Sequence, residues 1–347
     1  MNRVWCGIDF AHLFRMTDST GLYQHAKYSI PDRAHGYTVD DNARALIVAC
    51  EMYRLTEDTE FLELIYIYLG YMWYSRDGHG SMYNFMDYAG NPILQGPIGD
   101  SIGRTVWSLG VVAGYKELLP AGMYLMVDAL LEELVGSVMK SKSLRNTAYA
   151  LLGLSKIKEQ KANTWELAEK IVRLYKLCAV DGWDWFETTI TYGNFVLPWA
   201  LFEAHAATGN KEYLEIAEKS FAFLLEQCTI DGVFSPIGCN GWSVKDWGRA
   251  LYDQQPLEAA GGVMTALAGY RLTNKPIYME AAMLCDAWFH GSNSKKQDMI
   301  DHVSGGCFDG IMADGPNLNQ GAESLLSYLL STISLNEGKV VSECTDL

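Results

Sequence analysis

The sequence predicts an all-α fold, a toroid of six helical hairpins in the (α/α)6 arrangement, on three observations. Six stretches rich in small and apolar residues recur along the 347 residues, five stretches with one charged face alternate with them, and polar Asp-Gly-type turns followed by aromatics precede most of the first kind. Six repeats of one helical kind, the first five each followed by a half-exposed partner, are read as an inner and an outer ring. No strand-helix alternation, glycine-rich phosphate loop or shift of composition marks a second domain, so one barrel domain is expected over 1–347.

The expected inner helices begin near Asp41, Asp100, Asn146, Asn194, Gln254 and Asn319, where capping residues meet runs such as DNARALIVAC and QQPLEAAGGVMTALAGY. The expected outer helices are Glu57–Tyr74, Gly122–Lys140, Trp165–Cys178, Lys211–Cys228 and Pro276–His290. A sixth outer partner is missing at the C-terminus, where Asn336–Leu347 reads as short and polar, so Val4–Arg15 is expected to close the ring. The loops opening at Asp18, Asp77, Asp181, Asp231 and Asp309 are long for helix connections, and long loops in a compact domain are usually functional. Because they enter inner helices, they and the helix N-termini should gather on one face around a single pocket.

Composition narrows the function classes. A chain with 49% hydrophobic and 20% charged residues can bury a large core, and 27 Lys and Arg against 42 Asp and Glu give a formal charge of −15. With no basic block, nucleic acid and an anionic membrane surface are not expected as partners. Met1–Phe10 lacks the pattern of a signal peptide and no run reaches the ~18 apolar residues of a membrane helix, so a cytoplasmic protein is expected. The eight cysteines are widely spaced without a CxxC pair and read as reduced, mostly buried thiols. Ten Trp and 20 Tyr lean toward a carbohydrate or other small-molecule site.

Charged residues are scarce, and they concentrate at the starts of inner helices. HGYTVDDNARAL places Asp40 and Asp41 at a helix start, with Arg44 one turn inside and His35 and Tyr37 before it. An N-cap explains one carboxylate, and the second makes Asp41 a site candidate. Asp100 with Arg104, and Asp246 with Arg249, repeat the pattern, although such pairs also arise as intrahelical ion pairs worth a few tenths of a kcal/mol. In DGWDWFETTITYGN, Trp183 and Trp185 flank Asp184 and Glu187; a Trp in a long loop beside an acid suits a sugar platform, and it equally fills cores. Glu187 among aromatics would have the raised pKa of a general acid. Trp242, Asp253, Gln255, His302, Asn319 and Gln320 add donors and acceptors suited to sugar hydroxyls, while Glu258 and Glu323, one turn inside their helices, also read as capping or interhelix residues. The seven His form no HExxH or HxH pattern and there is no GxSxG elbow, so neither a metal nor a cofactor is expected.

Together, the segments TDSTGLYQHA, HGYTVDDNARALI, DSIGRTVWSLG, WDWFE, FSPIG, GRALYDQQPLEA, GGCFDG and NQGAES, spanning Thr17 to Ser324, resemble a group of bacterial proteins related to the six-hairpin (α/α)-barrel glycosidases, often encoded beside or fused to glycosyltransferases. GPIGDS departs from the GSEDS-like form of that group and lacks its carboxylate. The resemblance implies a glycan substrate, mannose-containing at its most specific, a functional link to a glycosyltransferase, and an inverting mechanism. The expected reaction is therefore glycoside hydrolysis with one carboxyl as acid, Glu187 or Asp100, and one as base, Asp41 or Asp253. Trp183, Trp185 and Trp242 would stack on sugar, and Arg104, Arg249, Gln255, Asn319 and Gln320 would bind hydroxyls. Met1 lies close to the first segment of the resemblance, so a free-standing barrel is expected. Two alternatives stand beside this reading: a sugar epimerase or isomerase, using a His pair such as His35 and His302, and a non-catalytic glycan-binding partner of a glycosyltransferase.

Overall fold

The computed structural model describes residues 3–94 and 99–345, with side chains as far as Gly338. It is an (α/α)6 toroid. The inner ring consists of α2 (Val39–Thr56), α4 (Ser101–Gly114), α6 (Leu144–Leu154), α8 (Val196–Thr208), α10 (Pro256–Thr273) and α12 (Ala322–Thr345), each packed on the next and α12 on α2. The outer layer is α3 (Thr59–Tyr74), α5 (Ala121–Lys140), α7 (Lys161–Cys178), α9 (Lys211–Gln227) and α11 (Pro276–Asp286), with α1 (Ala11–Met16) against α12 in the sixth place. Only Ala11–Arg15 of the expected Val4–Arg15 partner is helical; Val4–Trp5 and Ile8–Asp9 pair as a small hairpin instead. The segment after Asn336, expected as a short polar tail, continues α12 to Thr345.

The two mouths of the ring differ because their connections differ. At the back, three of the five turns from an inner helix to an outer one share one chemistry: a left-handed residue ends the inner helix and a cap or proline starts the outer one. Glu57 (φ 55°) precedes Asp58, whose carboxylate accepts from Glu60 N at 2.9 Å; Gly209 (φ 78°) precedes Asn210, which accepts from Glu212 N at 3.1 Å; Asn274 (φ 54°) is followed two residues later by Pro276 at the first turn of α11. At the front, most connections are long and laced to one another by short antiparallel strands. Tyr37–Thr38, before α2, pairs with Phe85–Met86, before α4; Thr189–Ile190, before α8, pairs with Ser243–Val244, before α10; and Gln254 bridges to Ile311, before α12. The exception is the entry to α6, where 141–143 alone connect it to α5, leaving the rim low at Arg145.

The inner helices bury nearly their whole surface, which is why they read as small and apolar all round. Between α4 and α6 the backbones approach so closely that a Cβ on Gly110 would fall 2.3 Å from Gly153 O, and one on Gly153 would fall 2.1 Å from Val106 O. No side chain fits there. The seven cysteines with described side chains are free, and Cys50, Cys228, Cys285 and Cys307 are buried.

Candidate active site

A pocket of about 320 Å³ opens at the front mouth, walled by Asp40, Asp41, Arg44, Gln255 and Glu323 from inner-helix starts and by His25, Phe85 and Asp309 from the loops. Thr38 sets the entry of α2: its hydroxyl accepts from Asp41 N and donates to Asp41 Oδ2 at 2.5 Å. With Thr38 fixed as the cap, the next residues divide, since neighbouring helical positions point roughly 100° apart. Asp41 turns inward, buried, with Arg44 Nη2 at 2.6 Å from its Oδ1. Asp40 turns to the pocket, its side chain about a quarter exposed.

Two arginines organise the floor. Arg44 bridges Asp41 to Glu323 Oε2, 3.1 Å away on α12. Arg104 donates to Asp100 at 3.1 Å, while its Nη1, buried and without a hydrogen-bond acceptor among the described residues, lies 4.0 Å from Asp40 Oδ2 and 3.8 Å from Glu323 Oε2. Sharing that nitrogen, the two carboxylate oxygens stand at most about 8 Å apart.

The pocket's acids are pushed in opposite directions. Burial works against the charge on Asp40, but Arg104 and then Arg44 outweigh it and hold the carboxyl below its ordinary value. Asp41 is pushed up to about 7, by burial first and then by the charge of Asp40. Burial also raises Asp309, against the lowering effect of Ser324 Oγ at 2.6 Å and Gly321 N at 2.7 Å, both of which donate to its Oδ1. Burial lowers His25, and His35, 4.7 Å away ring to ring, adds to the effect.

A second cluster adjoins at the low rim. Arg145, at the start of α6, is ion-paired with Glu187 and donates to Tyr192 O at 2.9 Å and Asn194 Oδ1 at 3.2 Å. Tyr192 lies between Arg145, 5.5 Å from its ring, and Trp242 at 6.4 Å. Glu258 lies behind this cluster, pushed up to about 7 by burial while accepting from Asn194 N.

Several expected site residues have other work. Trp183 and Trp185 are not sugar platforms: both are buried, packed on Phe223, and the Trp183 indole donates to Glu187 O at 2.8 Å. Tyr37 is fully buried and donates to Asp18 Oδ2 at 2.8 Å. Arg249 is spent on backbone, donating to the carbonyls of Gln227, Ser235 and Pro236. Gln320 is buried, holding Asp301 and Ser304, and Asn319 accepts from Tyr28 N at 3.0 Å. His302 is 72% exposed, 3.0 Å from Asp298, and outside the pocket, so it does not pair with His35. Asp253 is half-buried beside Cys239 and does not line the pocket. Asp41, Asp100, Arg104 and Gln255 do gather at the front mouth, Glu187 and Trp242 at its low rim, and His35 outside His25. Of the GPIGDS segment, which lacks a carboxylate before Asp100, residues 96–98 lie outside the described residues. The pocket residues underweighted from sequence are Asp40 and Glu323, which capping also explains, and His25 and Asp309, each in a loop whose aspartate-led turn was the available signal.

No group of three or more His, Cys, Asp or Glu is arranged to hold a metal ion among the described residues. Nor is any helix among them long and apolar enough to cross a membrane.

The fold is shared with solved structures of carbohydrate-processing enzymes. The chain is similar to the cellobiose 2-epimerase from Bacillus thermoamylovorans B4167, with a TM-score of 0.71 at 14% identity over 95% of each chain. It is also similar to a GH76 α-mannanase from Bacteroides thetaiotaomicron, with a TM-score of 0.65 at 10% identity over 96% of this chain and 94% of that one. A cellulase of C. cellulolyticum matches with a TM-score of 0.61 at 14% identity over 93% and 88%. No family model matches the chain, and no curated protein matches it. At these identities the likeness establishes the fold, which hosts hydrolases and epimerases alike.

Proposed function

We propose that this chain is a glycoside hydrolase that acts on the end of an oligosaccharide or glycan. One observation carries the reading: a single front-mouth pocket holds carboxyls whose surroundings drive them apart, Asp309 upward and Asp40 downward, the pattern that separates a general acid from a general base. Asp309 gives its proton to the glycosidic oxygen as the bond to the anomeric carbon breaks. Asp40, kept charged by Arg104 and Arg44, takes a proton from water whose oxygen attacks the opposite face of that carbon. The sugar leaves with inverted configuration, and the two carboxyls return to their starting states through solvent. Glu323, held on Arg44, faces the developing positive charge on the ring, and Gln255 offers a donor and an acceptor to hydroxyls. The expected acids Glu187 and Asp100 become positioning groups in this scheme, since each is tied to an arginine. The resemblance to proteins encoded beside glycosyltransferases fits a glycan end as substrate.

A second reading rests on His25. Its imidazole lines the pocket and is kept neutral by burial, as a base drawing a proton from the carbon beside a sugar carbonyl requires, and epimerases are among the similar structures. Incubation with defined oligosaccharides and free monosaccharides in D₂O, read by mass spectrometry and anomer-resolved NMR, separates the two. Released sugar of inverted configuration, lost in Asp309→Asn and Asp40→Asn, supports hydrolysis. Conversion to an isomeric sugar that carries one deuterium beside the carbonyl, lost in His25→Asn, replaces it with the epimerase. Binding without turnover overturns both.

A further inference from the structure

Outside the toroid, on the solvent side of α3, lies a groove of about 530 Å³ between that helix and the loops at 19–20 and 86–90. Its walls are Tyr66 and Tyr74, 46% and 83% exposed, and its floor between them is Gly70, where a Cβ would meet nothing within 4 Å. Positions 66, 70 and 74 fall on one helix face, and eight residues of helix set the two rings about 12 Å apart along it. Two exposed aromatics with a glycine gap are costly to display without purpose, because large apolar faces are normally buried.

We infer that this groove is a second carbohydrate-binding site, taking a stretch of neutral glycan chain away from the pocket. Three features fix that chemistry. No lining residue carries a charge, in a chain whose formal charge is −15. The flanking Ser19 and Thr20 offer hydroxyls that donate and accept, matching a polyol. The tyrosine rings offer flat faces to sugar C–H groups, at a spacing within reach of a short oligosaccharide. The groove also abuts the pocket: in the strand Phe85–Met86 consecutive side chains point to opposite sides, Phe85 to the pocket and Met86 to the groove. A chain lying along α3 is thereby brought to the front mouth. The inference goes beyond the pocket chemistry and stands for hydrolase or epimerase alike.

Affinity gel electrophoresis tests it, with yeast α-mannan, barley β-glucan or hydroxyethyl cellulose in the gel and alginate as the charged control. The wild-type chain should be retarded by at least one neutral polymer and not by alginate. Tyr66→Ala/Tyr74→Ala and, separately, Gly70→Gln, which fills the floor from a helix position that tolerates a side chain, should abolish the retardation without lowering Tm. Asp309→Asn should remain retarded, which separates the groove from the pocket. The inference is overturned by equal retardation of the groove variants, by loss in Asp309→Asn alone, by retardation in alginate only, or by no retardation in any neutral gel. It is also overturned if light scattering finds a wild-type dimer that the groove variants convert to monomer, since the groove would then be a contact between copies.

Discussion

The two mouths of the toroid are built from the same six inner helices, yet they are chemically unlike. The back mouth holds the larger cavity, about 520 Å³ against 320 Å³ at the front, with Trp107 and Trp199 crossing edge to face at 5.3 Å on its floor. Its acids are matched where they stand: Glu203 accepts from Arg271 at 2.9 Å and from the Trp199 indole at 3.3 Å, and Glu51 accepts from Tyr115 OH at 2.6 Å. At the front, Asp40 and Glu323 are carboxylates near an arginine nitrogen that neither engages at hydrogen-bond distance. The proposed function rests on the front for that reason: there, arginine charge is shared among carboxylates at helix N-termini that face loops carrying further acids.

The sharpest way to break that contrast is activity. On a substrate established by product analysis, Asp309→Asn should lower kcat/KM by roughly 10²- to 10⁴-fold. Glu203→Gln at the back should leave it unchanged; a comparable loss there would move the chemistry to the other mouth. Next in size is stability. Arg44→Ala removes the partner of buried Asp41, and urea unfolding at about pH 8, where Asp41 carries its charge, should show a loss of about 3 to 5 kcal/mol. Arg271→Ala, whose side chain is 58% exposed, should lose no more than about 1 kcal/mol.

The pH dependence should have opposite signs at the two ends. Asp41 and Glu258, both pushed up to about 7, hold protons in the folded chain that the unfolded chain releases. Their contribution is fully present below roughly pH 4 and is lost as pH rises through 7. Glu203 is the reverse: burial would raise it, but Lys156 and Arg271 outweigh burial and lower it, so its contribution is present above roughly pH 4.5 and fades as pH falls. Urea midpoints from pH 4 to 8 should therefore fall less steeply toward alkaline pH in Glu258→Gln, and less steeply toward acid in Glu203→Gln. Identical profiles in both variants would remove the electrostatic contrast. The smallest effect concerns caps. Asn210→Ala at the back should cost about 1 kcal/mol, and Thr38→Ala at the front somewhat more, because Thr38 also donates to Asp41.

The toroid was legible in the sequence because a sixfold repeat of small-residue helices leaves few ways to bury them, and interfaces such as Gly110 on Gly153 accept nothing larger. The pocket's location was legible for the same reason, as a gathering of inner-helix starts. Which side chain faces it was not. Asp40 and Asp41 differ by one helical step, and only the cap at Thr38 decides which of them meets solvent. Trp183 and Trp185 carry no mark in sequence that distinguishes a core ring from a platform; their partner Phe223 lies on α9, some forty residues away. Arg249 and Gln320 fail as hydroxyl binders because loops this long contain carbonyls and turns that need donors of their own. Asp309 opens an ordinary loop turn and Glu323 sits in an ordinary cap-like position, and their significance comes from elements distant along the chain.

The packing of α12 on α2 and α1 has a consequence for biosynthesis. As the chain leaves the ribosome from its N-terminus, the α2–α3 and α4–α5 hairpins can each collapse on near neighbours. Asp40, Arg44 and Arg104 are then present without Asp309 or Glu323, and the ring stays an open arc with one apolar flank of α2 uncovered. Only when α12 emerges does that flank close. A nascent chain should therefore depend on shielding until α12 has been made, and its charge constellation matures in the same step that seals the ring.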